Sequence, residues 1–237
     1  MKWRSLQESG AYSDMRPLRE IFAERKEAIA KYVPADVQAV HARAVDGLKA
    51  KDLAAKALSA FGVGAKSPSF ELPDHNGKAI SSANLLAKGR LVISFIRGRW
   101  CPFCVGQMEA MNYVAAQIEA SGATLVAVSP QTEKQSYFMR DQHKLTFPLL
   151  VDAGNQLARK FLLVYCVSEE QQGLYRSTFV NLPHVNGDSS WELPIPATFV
   201  MDRKTDRDSA ILFASANEDY MERPEPLEIL SMVEAGG

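Results

Sequence analysis

The fold of this chain can be worked out from residues 97–104, Arg97-Gly98-Arg99-Trp100-Cys101-Pro102-Phe103-Cys104. This stretch joins the apolar run Leu91–Ile96 to a segment with helical periodicity, which predicts a buried strand, a tight turn and a helix. Cys101 suits the N-cap, and Pro102 suits the first helical position, where a missing N–H costs nothing. The two thiols therefore lie on one side of the first helical turn.

Such a position favours thiol chemistry. The free N–H groups at a helix start carry partial positive charge and stabilise a thiolate, and Arg97 and Arg99 add positive charge nearby. One thiol of a Cys-x-x-Cys pair typically has a pKa about one unit or more below the usual value of about 8.5. Cys101 and Cys104 are also close enough to close a disulfide.

Two other interpretations of the cysteine pair are open, half of a zinc site and a pair of structural buried thiols. A zinc site needs further ligands at suitable spacing, and none is found among the remaining candidates, which are Cys166, His41, His75, His143 and His184. Redox chemistry fits the pair better. Cys166 has apolar neighbours, which predicts an inert core thiol, with a resolving thiol as the alternative.

The composition is that of a globular protein without a special environment. With 46% hydrophobic and 23% charged residues and a formal net charge of −1, the chain has no basic stripe for nucleic acid or an anionic membrane. No apolar run is long enough to span a membrane, and residues 1–8 lack the apolar core of a signal peptide. Three cysteines do not form a disulfide scaffold, so we expect a cytoplasmic protein.

The chain divides into a helical extension, residues 1–62, and a main domain, residues 63–237. Apolar residues from about Arg16 to Phe61 recur near the helical period, and Pro34 interrupts them, which predicts two or more helices. Their apolar face must be covered, and if it is exposed it favours a homodimer.

The main domain alternates strands and helices, which predicts an α/β fold with parallel strands. It begins with a hairpin turn at Asn76-Gly77, on which His75 should face solvent. The strands at residues 198–202 and 211–214 should pair antiparallel before a last helix at about 226–233. Residues 164–194 lose the periodicity and predict a functional insert or a covering loop.

This arrangement resembles the thioredoxin-like fold, and more closely the peroxiredoxin-like branch of the alkyl hydroperoxide reductase and thiol-specific antioxidant family. The resemblance extends from about Ser67 to Val233 and rests on residues 95–104, 147–152 and 186–202. It implies a central mixed sheet flanked by helices, and a thiol-dependent peroxidase that reduces hydrogen peroxide or organic hydroperoxides. It also implies recycling by a thioredoxin- or glutaredoxin-type reductant, with no cofactor and no metal.

The chain departs from this family at the site itself. The typical pattern Pro-x-x-x-Thr-x-x-Cys places Arg97 at the proline, Cys101 at the threonine and Cys104 at the peroxidatic cysteine. The usual arginine before the strand at 198–202 is replaced by Pro196, as in thioredoxins, and that resemblance implies a cis bond between Ile195 and Pro196.

Two patterns make different cysteines the attacking thiol, and the sequence does not decide between them. The thioredoxin pattern makes Cys101 the nucleophile and Cys104 the resolving thiol, and the peroxiredoxin pattern makes Cys104 attack the peroxide and Cys101 resolve. We favour Cys104 for the peroxide and Cys101 for exchange with a reductant; both patterns give the Cys101–Cys104 disulfide. A thiol:disulfide oxidoreductase and a non-catalytic redox sensor are the alternative functions.

Further site residues follow from the same resemblance. Arg97 or Arg99 and the amides at the helix start should polarise the O–O bond, and Trp100 should shield the disulfide. Trp191 and Glu192 should cover the site from residues 164–194. For Glu192 we expect a salt bridge at the rim, with proton transfer by a buried carboxylate as the alternative.

Overall fold

The computed structural model describes residues 16–178, 180–205 and 208–235. The predicted absence of a signal peptide concerns residues 1–8. These residues and Asp206 lie outside the described residues. The helices are α1 Leu18–Tyr32, α2 Ala35–Lys49, α3 Leu53–Ala60, α4 Ser82–Leu86, α5 Pro102–Ala120, α6 Glu133–Gln142, α7 Gln156–Lys160, α8 Glu169–Ser177, α9 Leu182–Asn186 and α10 Pro226–Glu234. The strands are β1 Glu71–Pro73, β2 Ala79–Ser81, β3 Leu91–Phe95, β4 Thr124–Ser129, β5 Leu149–Val151, β6 Val164–Cys166, β7 Glu192–Pro194, β8 Ala197–Arg203 and β9 Ser209–Ala216.

A five-stranded mixed sheet forms the centre of the molecule, in the order β5-β4-β3-β8-β9. The strands β3, β4 and β5 are parallel, and β8 pairs antiparallel with both β3 and β9. Every residue of β3 is buried because apolar layers cover both faces: Val92 faces the layer that contains α5, and Ile93 faces the opposite layer. The predicted thioredoxin-like architecture is confirmed, and β3 leads into the start of α5.

The first helix, α1, packs against α5. The predicted break at Pro34 is confirmed, because α1 ends at Tyr32 and α2 begins at Ala35. Phe22 of α1 meets Phe103 of α5 edge to face, with ring centroids 5.0 Å apart. The carboxylate of Glu225 accepts hydrogen bonds from the first two N–H groups of α1 at 2.7 and 3.0 Å, which fixes that helix end to the segment before α10.

Residues 164–194 form an insert with its own helices and strands, and not the covering loop that was the other expectation. They contain β6, α8, α9 and β7, and β6 pairs antiparallel with β7. The sequence did not reveal α8 because most of its residues are polar and its buried residues are Gln171 and Tyr175.

The burial of two side chains is the reverse of the prediction. His75 is buried, because its turn folds back on the sheet and Asp74 bridges to Leu150 of β5. Cys166 is exposed rather than in the core, because alternate residues of a strand face opposite sides and Tyr165 takes the inward position.

Candidate active site

The chain leaves β3 and turns at Gly98, whose φ of +135° lies in a region that favours glycine. Cys101 is the N-cap residue of α5 and Pro102 occupies its first turn, as predicted. Cys101 and Cys104 are both free thiols, exposed by 1% and 0% respectively. The site therefore holds two adjacent sulfurs that are shielded from bulk water.

Positive groups surround the Cys104 sulfur. The backbone N–H of Arg97 donates to Sγ at 3.4 Å, and Nη2 of Arg223 donates to it at 3.7 Å. Burial acts to raise the pKa of Cys104, but the hydrogen bond with Cys101 and the charges of Arg223 and Arg97 outweigh it and lower this pKa to about 5. Cys104 is therefore a thiolate at neutral pH.

Cys101 has the opposite protonation. Burial raises the pKa of Cys101, and its hydrogen bond to Cys104 and the negative charge there act in the same direction, against the charges of Arg97 and Arg223. One proton shared between two sulfurs thus belongs to Cys101. The pair combines a thiolate with a neighbouring protonated thiol.

Arg223 is held by a buried polar chain. Its Nε donates to Oε1 of Gln107 at 2.8 Å, and Gln107 Nε2 donates to Oγ1 of Thr198 at 3.3 Å. Sequence reasoning did not identify Arg223. A weak signal was Pro224, because a residue before proline is held extended, which places Arg223 in a non-helical segment just before α10.

Arg97 lies in a pocket of aromatic rings, with its side chain 1% exposed. Its guanidinium carbon lies 4.7 Å from the ring centroid of Trp100 and 4.3 Å from that of Tyr220. Nη2 donates to the hydroxyl of Tyr175 at 2.8 Å, and burial raises the pKa of Tyr220 to about 12, against the charge of Arg97. The structure thus places Arg97 and Trp100 beside the thiols. Tyr175, from the helix α8 that was not predicted, contacts Arg97.

A cavity of about 810 Å³ opens beside these groups. Arg97, Trp100 and Cys101 line one end, and α1, α2 and α8 contribute the other walls. His41 of α2 also lines it; burial first, and the charge of Arg97 second, lower the pKa of His41 to about 4, so this ring is neutral at pH 7. Cys101 lines the cavity, whereas Cys104 does not.

Three residues that were predicted to line the site contact other parts of the molecule instead. Arg99 donates to Oε1 of Gln135 at 3.0 Å, on the side of α6. Trp191 lies under the guanidinium of Arg176, at 4.8 Å from its ring centroid. Glu192 forms a salt bridge with Arg159, as expected. None of the three lines the cavity described above.

Pro196 is buried at the start of β8, and the expected cis bond to Ile195 is wrong. No peptide bond of the described residues is cis. The Pro196 carbonyl instead accepts a hydrogen bond from the N–H of Asn217 at 3.2 Å, which extends the β8–β9 pairing by one step. The likeness to thioredoxins at this position does not extend to the backbone.

In residues 16–178, 180–205 and 208–235, no three His, Cys, Asp or Glu side chains are grouped as metal ligands would be. Likewise, no helix in the described part of the chain has the length and apolar character needed to cross a membrane.

Known proteins resemble this chain in sequence and in fold. A Mycobacterium tuberculosis protein named as a peroxiredoxin is 30% identical over 123 residues, covering 49% of this chain and 76% of the relative. Peroxiredoxin Bcp of Bacillus subtilis is 26% identical over 121 residues, covering 50% and 76%. A thiol-disulfide oxidoreductase ResA of Bacillus cereus is 29% identical over 96 residues, covering 40% and 54%.

Among solved structures, peroxidoxin BcpB of Mycobacterium tuberculosis superposes with a TM-score of 0.58 at 21% identity, covering 75% of this chain and 99% of that one. A Xylella fastidiosa PrxQ mutant gives a TM-score of 0.56 at 16% identity, covering 74% and 96%. These two likenesses concern the fold. The sequence model of the AhpC/TSA family matches residues 63–206, more than half of the chain, and the chain therefore belongs to the AhpC/TSA family of peroxiredoxins.

Proposed function

We propose that this protein is a thiol-dependent peroxidase in which Cys104 attacks the peroxide and Cys101 resolves the product. Peroxiredoxins act on peroxides and are recycled by thiol reductants. The observation that supports the assignment is the Cys104 sulfur, a thiolate with a pKa of about 5 held by Arg223 and the N–H of Arg97. Only the thiolate is a strong nucleophile, so Cys104 should react first.

The first step is nucleophilic substitution at a peroxide oxygen. The Cys104 thiolate bonds to one oxygen, the O–O bond breaks, and the electron pair leaves on the other oxygen as an alkoxide or hydroxide. Cys104 is oxidised to a sulfenic acid. The guanidinium of Arg223 and the N–H of Arg97 offset the charge that develops on the oxygens, in the role predicted for an arginine at this site.

Cys101 supplies the next two requirements. Its raised pKa keeps a proton next to the reacting sulfur, and that proton can pass to the leaving alkoxide to give an alcohol. The Cys101 thiolate then attacks the sulfur of the Cys104 sulfenic acid, the S–O bond breaks, and the Cys101–Cys104 disulfide forms. The oxygen leaves as hydroxide, which takes a proton from the solvent to become water.

We propose that a thioredoxin- or glutaredoxin-type dithiol reduces this disulfide by attacking Cys101. Cys101 lines the cavity and Cys104 does not, so a thiolate that enters this cavity meets Cys101 first. The released Cys104 thiolate is also the better leaving group, because its pKa is the lower of the two.

We propose the division of the chain on the same basis. Residues 1–62 form a helical extension whose described part supplies walls of the cavity, and residues 63–237 form the thioredoxin-like domain. In this scheme Arg97 orients the aromatic residues around Cys101. Pro196 and the residues Arg99, Trp191 and Glu192 support the site from outside the cavity.

A thiol:disulfide oxidoreductase is the second candidate, favoured by the likeness to ResA over 96 residues. In that function Cys101 would be the attacking thiolate. Its raised pKa opposes this, since a protonated thiol attacks disulfides poorly.

The test is the second-order rate of thiol loss when the reduced protein meets hydrogen peroxide. We would compare Cys101→Ser and Cys104→Ser with the parent, all carrying Cys166→Ser because that exposed thiol would otherwise react, and identify products by intact mass. Fast reaction retained in Cys101→Ser, with a sulfenic acid on Cys104, and lost in Cys104→Ser is the expected result. If all three react no faster than free cysteine, the peroxidase assignment is wrong and disulfide exchange leads.

A further inference from the structure

The outer face of α6 carries two aromatic side chains that remain exposed in the folded chain. Tyr137 is 50% exposed and Phe138 is 43% exposed, and their ring centroids lie 6.4 Å apart. The opposite face of the helix is buried through Gln135, Ser136 and Met139. Isolated exposed apolar side chains are common on protein surfaces, whereas aromatic residues are enriched where two proteins meet. The aromatic pair therefore marks this side of α6 as a candidate interface.

Opposite charges flank the aromatic pair. Lys134 and Asp141 are exposed, and with Tyr137 and Phe138 they occupy positions i, i+7, i+3 and i+4, which form one stripe along a helix. These four residues form the α6 face. Lys134 makes no salt bridge with a described residue, and its ammonium lies 5.9 Å from the Phe138 ring centroid. Asp141 pairs with Lys144 at 3.1 Å, but these side chains are 65% and 70% exposed, and such a pair contributes little to stability.

The α6 face is complementary to itself. Two copies of α6 can pack antiparallel about a two-fold axis that passes between residues 137 and 138. Lys134 of each copy then faces Asp141 of the other copy, and Tyr137 faces Phe138. Each contact forms twice because the arrangement is symmetric. A parallel arrangement would instead place Lys134 against Lys134, so the charges select the antiparallel one.

The α6 face adjoins the turn that carries the cysteines but lies outside the cavity. The guanidinium carbon of Arg99 lies 6.0 Å from the Phe138 ring centroid, and the N–H of Arg99 donates to Oε1 of Gln131 at 2.9 Å, just before α6. None of the residues 133–142, all of which are described, lines the cavity. A protein bound to the α6 face can therefore approach this turn without entering the cavity.

We propose that the α6 face binds a second copy of this chain and forms a two-fold symmetric dimer. The aromatic side chains at its centre lose their contact with water, and the lysine–aspartate pairs at both ends fix the antiparallel register. An interface built on one helix of 10 residues is small, so we expect a dissociation constant between about 1 and 100 µM. This inference concerns assembly and holds whichever reaction the thiols perform.

Sedimentation velocity of the reduced full-length protein, from about 1 to 500 µM, tests the proposal. We expect monomers at the lowest concentration and dimers at the highest. Phe138→Ala should raise the dissociation constant at least about tenfold, as the loss of a central aromatic contact does in other interfaces.

Charge reversal tests the register. Lys134→Asp and Asp141→Lys each place like charges opposite one another, and each should raise the dissociation constant at least about tenfold. The combined variant restores opposite charges and should return to within about threefold of the wild type. Lys88→Asp is the matched control, because it makes the same charge change at an exposed lysine that follows α4, and α4 packs on the other face of the sheet. It should leave the dissociation constant unchanged.

A second readout needs no variant. A carbodiimide joins a lysine to a carboxylate only where the two groups are in contact, so the crosslinked dimer of the wild type should contain an amide bond between Lys134 and Asp141. Within one helix these residues are separated by about 10 Å along the axis, which prevents the same link inside one copy. Mass spectrometry of the peptides from the dimer band identifies the link.

Three results would overturn the proposal. A chain that stays monomeric at every concentration would leave the α6 face to a partner of another kind. A dimer that is insensitive to Phe138→Ala and to both charge reversals, or that is crosslinked only at other residues, would have its interface elsewhere. Single charge reversals that weaken the dimer without rescue in the combined variant would contradict the antiparallel register. None of these results bears on the peroxide reaction, which is measured separately.

Discussion

Cys104 is activated by groups from distant parts of the chain. The N–H of Arg97 lies seven residues before it, the Cys101 thiol one helical turn before it, and the guanidinium of Arg223 comes from the segment before α10. Burial alone would keep this sulfur protonated, so the positive groups decide its state. Arg223 thus supplies a charge that the family normally places where this chain has Pro196.

Removing the charge of Arg223 should raise the pKa of Cys104. In Arg223→Met, we expect a pKa higher by about one unit or more, since an opposite charge this close shifts a thiol by about that amount. Arg223→Lys keeps a positive charge and should shift the pKa less. The measurement is the thiolate ultraviolet absorbance against pH; a Met variant that titrates like the wild type would remove Arg223 from the account.

The peroxide reaction should be independent of pH around neutrality and slow in acid. Above a pKa of about 5, Cys104 is ionised and the rate stays on a plateau; as pH falls through about 5, the thiolate is protonated and the rate falls with it. The rate of thiol loss across pH 4 to 8, in a stopped-flow instrument, checks the midpoint. A midpoint near about 8.5, the value of an ordinary thiol, would contradict the activation described here.

The Cys101 hydrogen bond should contribute to the same pKa. Cys101→Ser keeps a donor next to Cys104, whereas Cys101→Ala removes it, so the Ala variant should have the higher Cys104 pKa of the two. The same absorbance titration compares them. Identical titrations would mean that the two arginines alone hold the thiolate.

At the scale of elements, α1 is bound to the thiol-bearing helix. Phe22 packs on Phe103, and Nη1 of Arg25 donates to the carbonyl of Pro102 at 2.6 Å, in the first turn of α5. Gly106 lets α1 approach, because a Cβ there would come within 2.9 Å of the Phe22 ring. The extension is thus fixed against the same helix turn that carries the cysteines.

Truncating Phe22 should destabilise the fold. Phe22→Ala empties a buried site, for which the usual loss in the free energy of unfolding is about 3 kcal/mol. Leu227→Ala, an apolar side chain that is 48% exposed on α10, is the control and should cost less than about 0.5 kcal/mol. Urea unfolding followed by circular dichroism gives both values; equal losses would mean that α1 is not docked as described.

The elements that the sequence predicted are those with local signals. The run at β3, the proline after Cys101 and the Asn76-Gly77 turn each carry the information for their own structure, and all three are found. The helix α8, which carries Tyr175, is mostly polar and has no apolar periodicity from which it could be predicted. The burial of His75 depends on contact with a distant strand, which no local pattern encodes.

For the whole molecule, the site joins four regions that are far apart in sequence. The extension supplies His41, the turn after β3 supplies Arg97, α8 supplies Tyr175, and the C-terminal segment supplies Tyr220 and Arg223. Surface ion pairs such as that of Lys26 with Glu222 link the same regions. A single cavity therefore depends on the assembly of the whole chain, and its contributing residues could be recognised only after folding was known.

The dependence of Cys104 on Arg223 has a consequence for biosynthesis. A ribosome delivers Cys104 and its partner Cys101 well before Arg223, which lies 119 residues later in the chain. Until the C-terminal segment emerges and docks, the nascent thiols lack that guanidinium and the contacts that hold it. The thiol pair therefore gains its full sensitivity to oxidants only after residue 223 has been synthesised and has docked beside Cys104.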